Sequence, residues 1–135
     1  MSKEIKEYDA NGNVIYFKDF DGFEEWYDYD INNKPIHYKN SDGYEAYYDS
    51  NGNEIHYKDS DGIERWQEFD SNNNLIHYKN SDGYEEWYEF DSNNNLIHFK
   101  DSTGYEVWRG YDKNNNLIHF KNSNGYEEWN AYEYI

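Results

Sequence analysis

The chain contains no cysteine among its 135 residues, so it can hold neither a disulfide framework nor a thiolate metal site. It also lacks long apolar runs. No stretch approaches the length of a membrane-spanning helix, and residues 1–7 carry no apolar segment of a secretory signal. We therefore expect a cytoplasmic protein that does not bind membranes.

Basic residues are scarce, since 12 Lys and Arg stand against 29 Asp and Glu and give a formal net charge of -17. A surface of this sign repels phosphate, so direct nucleic-acid binding is not expected. It attracts a basic protein and speeds their encounter. A simpler interpretation is that the acidity keeps an aromatic-rich sheet soluble.

A low hydrophobic content of 36% combined with this charge is typical of disordered chains, but an aromatic content of 21% is not. The aromatic residues recur at fixed positions, which indicates order. An aromatic-Asp pair opens six successive units, 21 residues apart except for one step of 19. The units start at Tyr8, Tyr29, Tyr48, Phe69, Phe90 and Tyr111, and a partial seventh starts at Tyr132. This period predicts a single repeat domain over residues 1–135.

Each unit carries two turn signals separated by residues that favour strands. The first is Asp-x-Asn-Gly-Asn or Asp-Ser-Asn-Asn-Asn, as at 9–13 and 70–74, which suits a type I turn with a G1 bulge. The second is Asp-Gly or a close variant, which predicts a two-residue type I′ hairpin. These second sites are Asp21-Gly22, Asp42-Gly43, Asp61-Gly62, Asp82-Gly83, Thr103-Gly104 and Asn124-Gly125. The pattern predicts an all-β fold in which 21-residue β-hairpin repeats form an open, twisted antiparallel meander of about thirteen strands.

The assumed loop lengths fix a register, and the register predicts which side chains share a face. A two-residue loop at Asp82-Gly83 places Tyr78 opposite Trp87. A three-residue loop at the next turn places Phe90 opposite Leu96, Glu89 opposite Ile97 and Trp87 opposite Phe99. Histidines and lysines such as His77 then lie on the other face. The predicted aromatic ladder comprises Phe17, Trp26, Tyr38, Tyr47, Tyr57, Trp66, Tyr78, Trp87, Phe99, Trp108, Phe120 and Trp129. The step of 19 residues predicts a shift of register near Tyr47.

The residues that could carry chemistry do not form a catalytic pattern. Equivalent histidines lie two strands apart, about 9–10 Å, whereas zinc holds each His nitrogen at about 2.1 Å. The five histidines are His37, His56, His77, His98 and His119. The Asp-x-Asn loops lack the bidentate Glu that an EF-hand has at its twelfth position, where the loop from Asp70 has Ser81. We expect no enzyme activity, no catalytic residue, no metal and no cofactor.

The segment running from Gly43 through Tyr48-Asp49 to Asn51-Gly52-Asn53-Glu54-Ile55 resembles the YD repeat of rearrangement-hotspot proteins, whose pattern is Gly…Tyr-Asp-x-x-Gly-x-Leu. Those proteins enclose a toxin in a shell of dozens of repeats, which six repeats cannot do. Most units here also replace the turn Gly with Asn. The chain more closely resembles small acidic immunity proteins of polymorphic toxin or contact-dependent growth inhibition systems, which have Tyr-Asp-x-Asn-Gly-Asn-x-Ile-His-Tyr-Lys units.

This second resemblance implies an immunity protein that neutralises a basic bacterial toxin, and a nuclease is the favoured class because nucleases have basic clefts. The candidate partner-binding residues are recurrent carboxylates and tyrosines expected to be exposed. They are Glu24, Glu45, Glu64, Glu85, Glu106, Glu127, Tyr27, Tyr44, Tyr84, Tyr88 and Tyr105. One alternative is a carbohydrate or cell-wall binding module, since aromatic hairpin repeats resemble choline-binding repeats. Another is a structural or designed repeat scaffold.

Overall fold

A computed structural model describes residues 3–130, which form thirteen β-strands and no helix. The strands are β1 (Ile5–Tyr8), β2 (Val14–Lys18), β3 (Glu24–Tyr29), β4 (Pro35–Asn40), β5 (Glu45–Tyr48), β6 (Glu54–Lys58), β7 (Glu64–Phe69), β8 (Leu75–Asn80), β9 (Glu85–Phe90), β10 (Leu96–Asp101), β11 (Glu106–Tyr111), β12 (Leu117–Asn122) and β13 (Glu127–Trp129). Nothing in this range is a helix that could span a bilayer. The predicted partial unit at Tyr132 lies outside the described residues.

The chain forms two compact units, Met1–Gln67 and Glu68–Ile135. In the first, strands β1 to β7 lie side by side in chain order, and in the second β8 to β13 do the same. Paired neighbours are antiparallel, and each hairpin follows the preceding one without a crossover. The predicted all-β open meander of hairpin repeats is confirmed. A single repeat domain over 1–135 remains a prediction.

The first turn of each repeat has the predicted geometry. At 9–13 the amide of Gly12 donates to the carbonyl of Asp9 at 3.1 Å, and the amide of Asp9 donates to the carbonyl of Asn13 at 2.9 Å. Gly12 has a φ of 82°, as a G1 bulge requires. In other repeats Asn occupies this left-handed position, for example Asn73 at 64°. The predicted three-residue loop is confirmed.

The second turn differs from the prediction, because it also has a three-residue loop. The amide of Asn80 donates to the carbonyl of Tyr84 at 3.0 Å, and Gly83 donates to the carbonyl of Asn80 at 3.1 Å. The side-chain oxygen of Asn80 accepts from the amides of Asp82 and Tyr84. This Asx turn makes Asn80 the residue that sets the loop. The predicted two-residue type I′ hairpin is therefore wrong, and the register moves by one residue.

A second shift comes from a β-bulge beside the first turn. Leu96 is opposite Phe90 as predicted, but Glu89 is opposite His98, so Ile97 is the extra residue. As a result Trp87 lies opposite His77 on one side and Lys100 on the other. Tyr88 lies opposite Phe99.

The predicted single aromatic ladder is wrong, since these registers divide it between two faces. Each unit has a tryptophan face, which carries Tyr16, Trp26, His37, Tyr47, His56 and Trp66 in the first unit and His77, Trp87, His98, Trp108, His119 and Trp129 in the second. Each unit also has a tyrosine face, which carries Tyr27, Tyr29, Tyr38, Tyr44 and Tyr57 in the first unit and Tyr78, Tyr84, Tyr88, Phe99, Tyr105, Phe120 and Tyr126 in the second.

The step of 19 residues shifts the register, as predicted. In the shortened strand β5, Tyr47 lies opposite His37 and also opposite His56. Elsewhere the equivalent Trp87 faces a histidine on one side only. The missing pair of residues also moves adjacent turns together, so that a Cβ on Gly43 would lie 3.0 Å from the Cβ of Ser60.

Very little of the chain is buried. Among the described residues the buried apolar side chains are Ala46 and Val107, which both point to the tyrosine face, and Asp101 is the buried charged one. Both faces otherwise consist of half-buried and exposed side chains. Strand pairing and cross-strand ring contacts therefore replace a conventional core as the stabilising interactions.

Candidate functional site

A histidine stacks on a tryptophan in successive hairpins of the tryptophan face. The rings of His77 and Trp87 are 5.6 Å apart at 15°, and those of His98 and Trp108 are 5.7 Å apart at 22°. The cause is the three-residue turn, which makes the two residues direct cross-strand partners. The prediction that histidine and tryptophan lie on opposite faces is therefore wrong.

The six predicted glutamates all lie on this face, next to a histidine or its equivalent. His77 Nε2 donates to Glu85 Oε2 at 2.9 Å, and His98 Nε2 donates to Glu106 Oε2 at 2.9 Å. Glu45 and Glu64 accept from His37 and His56 at 2.8 and 2.9 Å, Glu24 accepts from Tyr16 at 2.5 Å, and Glu127 lies 3.6 Å from His119. These carboxylates are held in fixed positions and are only partly available to a partner.

A second row of carboxylates, absent from the predicted site, lies on the other side of the histidines. Asp28 is 2.9 Å from His37 Nδ1, Glu68 is 3.5 Å from His77, and Glu89 is 3.5 Å from His98. Their side chains are 67–69% exposed, against 26–28% for Glu45, Glu85 and Glu106. The sequence could have predicted this row, because side chains two residues apart on a strand share a face, as Glu85, Trp87 and Glu89 do.

The carboxylates alter the titration of their neighbours. Burial lowers the pKa of His37, but hydrogen bonds to Asp28 and Glu45 outweigh it, so the pKa is raised above 6.5. The hydrogen bond from His37 lowers the pKa of Glu45. The hydrogen bond to Glu24 raises the pKa of Tyr16 to about 12. Glu45 is therefore ionised at neutral pH.

Trp26 and Trp108 each have an aromatic ring and a lysine side chain packed against the indole. Trp108 is flanked by the His98 ring and by Lys121, whose Nζ lies 5.8 Å from the ring centroid. Trp26 is flanked in the same way by Tyr16 and Lys39. Trp26, Trp66, Trp87 and Trp108 are still 36–40% exposed. A partner can contact the indole edges, whereas a ligand that needs a bare ring face meets a side chain already stacked there.

Shallow grooves run between these rows in each unit. One of about 620 Å³ is lined by Trp26, Asp28 and His37 among others, and one of about 600 Å³ is lined by Glu68, Trp87 and Glu89 among others. Both combine carboxylates with aromatic edges. Over residues 3–130 no three His, Cys, Asp or Glu side chains come close enough together to hold a metal ion.

The five predicted tyrosines lie on the opposite, tyrosine face, so the structure does not bring them together with the glutamates. Tyr84 and Tyr88 both donate to Glu86 at 2.9 Å. Tyr27 donates to Glu25 at 3.0 Å. Tyr44 packs edge-on against Tyr57, and Tyr105 packs against Phe99.

The phenols of Tyr84 and Tyr88 are poor acids. The hydrogen bond to Glu86 raises the pKa of Tyr84 to about 12. Burial, followed by the hydrogen bond to Glu86, also raises the pKa of Tyr88. The phenols stay protonated at neutral pH and act as hydrogen-bond donors.

No family model and no curated protein sequence matches the chain. Similar solved structures include the crystal structures of TcdB2-TccC3 and of TcdB2-TccC3-Cdc42, each with 17% identity and a TM-score of 0.52. The match covers 87% of this chain and only 7% of the matched chain in each. The similarity shows that the chain adopts a β-hairpin repeat fold found within these much larger toxin-complex chains.

Proposed function

We propose that the chain is an immunity protein that binds and neutralises a basic bacterial toxin, with a nuclease as the favoured class. The observation that carries the proposal is the tryptophan face, where exposed carboxylates repeat beside exposed indole edges. Asp28, Glu68 and Glu89 supply charge that reaches solvent, and Trp edges supply apolar anchors. The net charge of -17 adds a long-range attraction to a basic protein.

In this proposal the chain inhibits the toxin by occupying the cleft in which the toxin binds nucleic acid. A nuclease cleft is basic because it binds phosphate, and rows of carboxylates match that charge. A partner docked on the tryptophan face would therefore exclude the nucleic acid from its own cleft. The two rows of carboxylates have different roles in this arrangement: the exposed row steers the encounter, and the histidine-bound row is already fixed for docking.

A carbohydrate-binding module is less well supported. Sugar rings stack on bare aromatic faces, but Trp26 and Trp108 have a ring on one side and a lysine on the other. The edges that remain exposed suit a protein surface better.

The first test is co-purification of the tagged chain from its native host. We expect a basic nuclease domain to be captured, and a neutral glycan as the natural ligand would contradict the proposal. The association rate with the captured toxin should fall steeply between low and physiological salt, since charges are screened beyond about 8 Å at 0.15 M. An association rate that does not change with salt would contradict the electrostatic mechanism.

A matched pair of charge reversals locates the interface. Glu68→Lys with Glu89→Lys changes the exposed row of the tryptophan face. Asp61→Lys with Asp82→Lys makes the same change of net charge in exposed turns. We expect the first pair to slow association more than the second, and equal effects would mean that net charge alone, not this face, attracts the toxin.

A further inference from the structure

His37 lies between two carboxylates that come from the two neighbouring strands. Its Nδ1 is 2.9 Å from Asp28 Oδ2 on β3, and its Nε2 is 2.8 Å from Glu45 Oε2 on β5. An ionised carboxylate only accepts hydrogen bonds, so each ring nitrogen needs its own proton to make both contacts. The geometry therefore describes an imidazolium, a cation that belongs to the tryptophan face itself.

Other titratable or charged side chains lie near this ring without replacing either contact. They are Tyr47 of β5, Lys39 of β4, and Glu7 and Glu24, which line the same groove as His37. Tyr47 stacks on the His37 ring at 4.4 Å, and Lys39 lies opposite Glu45. Among the described residues, Asp28 and Glu45 are the groups hydrogen-bonded to the ring, so they have the largest influence on its charge.

The two carboxylates differ in how easily a partner can reach them. The side chain of Asp28 is 69% exposed, whereas that of Glu45 is 28% exposed. A lysine or arginine of a partner can therefore approach Asp28 from solvent. The approaching cation then competes with the imidazolium for the same acceptor, and the two positive charges repel each other. Binding of the cation and protonation of His37 consequently oppose each other.

We propose that a basic partner bound at Asp28 displaces a proton from His37 into the solvent, so that affinity at this part of the tryptophan face falls as the solution is acidified. The identity of the partner rests on the proposed function. The coupling is reciprocal, because a cation that disfavours the imidazolium is itself disfavoured by the imidazolium to the same extent.

The direction of the pH dependence follows from the free chain. Burial lowers the pKa of His37, but the hydrogen bonds to Asp28 and Glu45 outweigh it and raise the pKa above 6.5. A bound cation lowers this pKa, because it takes the Asp28 contact and adds positive charge. Affinity is then highest above the pKa of the free chain and lowest below the pKa of the complex.

The test is an NMR titration of the full chain with acetyl-tetralysine amide at about pH 6 and about pH 8, at constant ionic strength. Binding is followed through the side-chain carbon signals of Asp28. We expect the peptide to bind about 3- to 10-fold more tightly at the higher pH, since a pKa change of about one unit corresponds to a factor of about ten in affinity. Equal affinity at the two pH values would overturn the proposal.

His37→Gln removes the titrating group, and His56→Gln is its matched control. His56 also stacks on Tyr47, and its Nε2 is 2.9 Å from Glu64, but among the described residues no carboxylate contacts its Nδ1. We expect His37→Gln to bind the peptide more tightly than the unchanged chain at the lower pH and to lose most of the pH dependence. His56→Gln should retain the pH dependence. Weaker binding by His37→Gln at both pH values would mean that His37 only holds the carboxylates in place, and would contradict the competition.

The same variants separate this inference from the proposed function. If a basic toxin is captured and its affinity for His37→Gln depends on pH as it does for the unchanged chain, the proton coupling fails while the immunity function stands. If the peptide shows the coupling and no basic protein binds the chain, the coupling stands and the immunity function fails.

Discussion

His37 and Tyr47 stack face to face, with ring centroids 4.4 Å apart and an interplanar angle of 20°. Tyr47 also stacks on His56, at 5.4 Å, and His56 stacks on Trp66 at 5.2 Å. Four strands are thereby joined by one column of parallel rings. The column exists because the short repeat shifts Tyr47 into register with both histidines.

The pH dependence of His37 follows from its two carboxylate partners. Its folded-state pKa is raised above 6.5, so its stabilising contribution is complete below about pH 6.5 and is lost as the pH rises through the folded pKa. We expect NMR titration of the His37 ring to show the raised pKa. Glu45→Gln should bring the value back toward 6.5, because it removes one of the two acceptors. An unchanged His37 titration in Glu45→Gln would contradict this assignment.

Asn80→Ala should destabilise the chain by about 1–2 kcal/mol, because the turn loses two hydrogen bonds to backbone amides. Asn80→Asp is the control. Aspartate occupies the same turn position at Asp59, where it accepts both amides. Urea unfolding should therefore show a lower midpoint for Asn80→Ala and little change for Asn80→Asp. A similar loss in both variants would mean that the Asx turn does not set the loop.

Gly43→Ala should destabilise the fold more than Gly83→Ala. Both glycines have φ near 90°, so both substitutions carry a backbone penalty of about 1–2 kcal/mol. Only at Gly43 would the new Cβ collide with a neighbour, since it would lie 3.0 Å from the Cβ of Ser60. Thermal unfolding should show the difference, and Ser60→Gly should reduce it in the Gly43→Ala background, since the Cα of residue 60 still lies 3.2 Å from the new Cβ. Equal losses without rescue would show that the turns of the short repeat are not in contact.

Tyr88→Ala should lower the urea midpoint more than Trp87→Ala, which reverses the order that the sequence predicts. Trp87 is 40% exposed, whereas Tyr88 is half-buried, packs on Phe99 at 5.0 Å and donates to Glu86. Trp87→Ala should accordingly cost less than the roughly 3–5 kcal/mol typical of a buried aromatic residue. A larger decrease of the midpoint for Trp87→Ala would contradict the exposed position of Trp87.

Strand number, chain-order meander and the first turn follow from the sequence, because the 21-residue period and the Asp-x-Asn signal are local. The faces do not follow, for two reasons. The dipeptide Asp82-Gly83 is typical of a two-residue loop. In the structure Asn80, two residues upstream of Asp82, sets a loop that is one residue longer. The bulge at Ile97 is a backbone feature that an ordinary strand residue does not signal.

The same two shifts of register explain why the predicted placement of the site residues differs from the structure. The glutamates and tyrosines were identified by type, but a histidine partner for Glu85 could not be expected while His77 was placed on the opposite face. The position of Glu89 could be predicted from the sequence, since Glu89 lies two residues beyond Trp87 on the same strand.

Each turn is closed by hydrogen bonds within five consecutive residues, as between Asp70 and Asn74. The residues that determine each turn therefore lie within one repeat, and the turn does not depend on where that repeat stands along the chain. Recombination between gene segments that encode similar repeats, such as residues 69–89 and 90–110, can add or delete a hairpin in frame without redesigning any loop. Repeat number then becomes a heritable variable, by which the number of strands can change in steps of one hairpin.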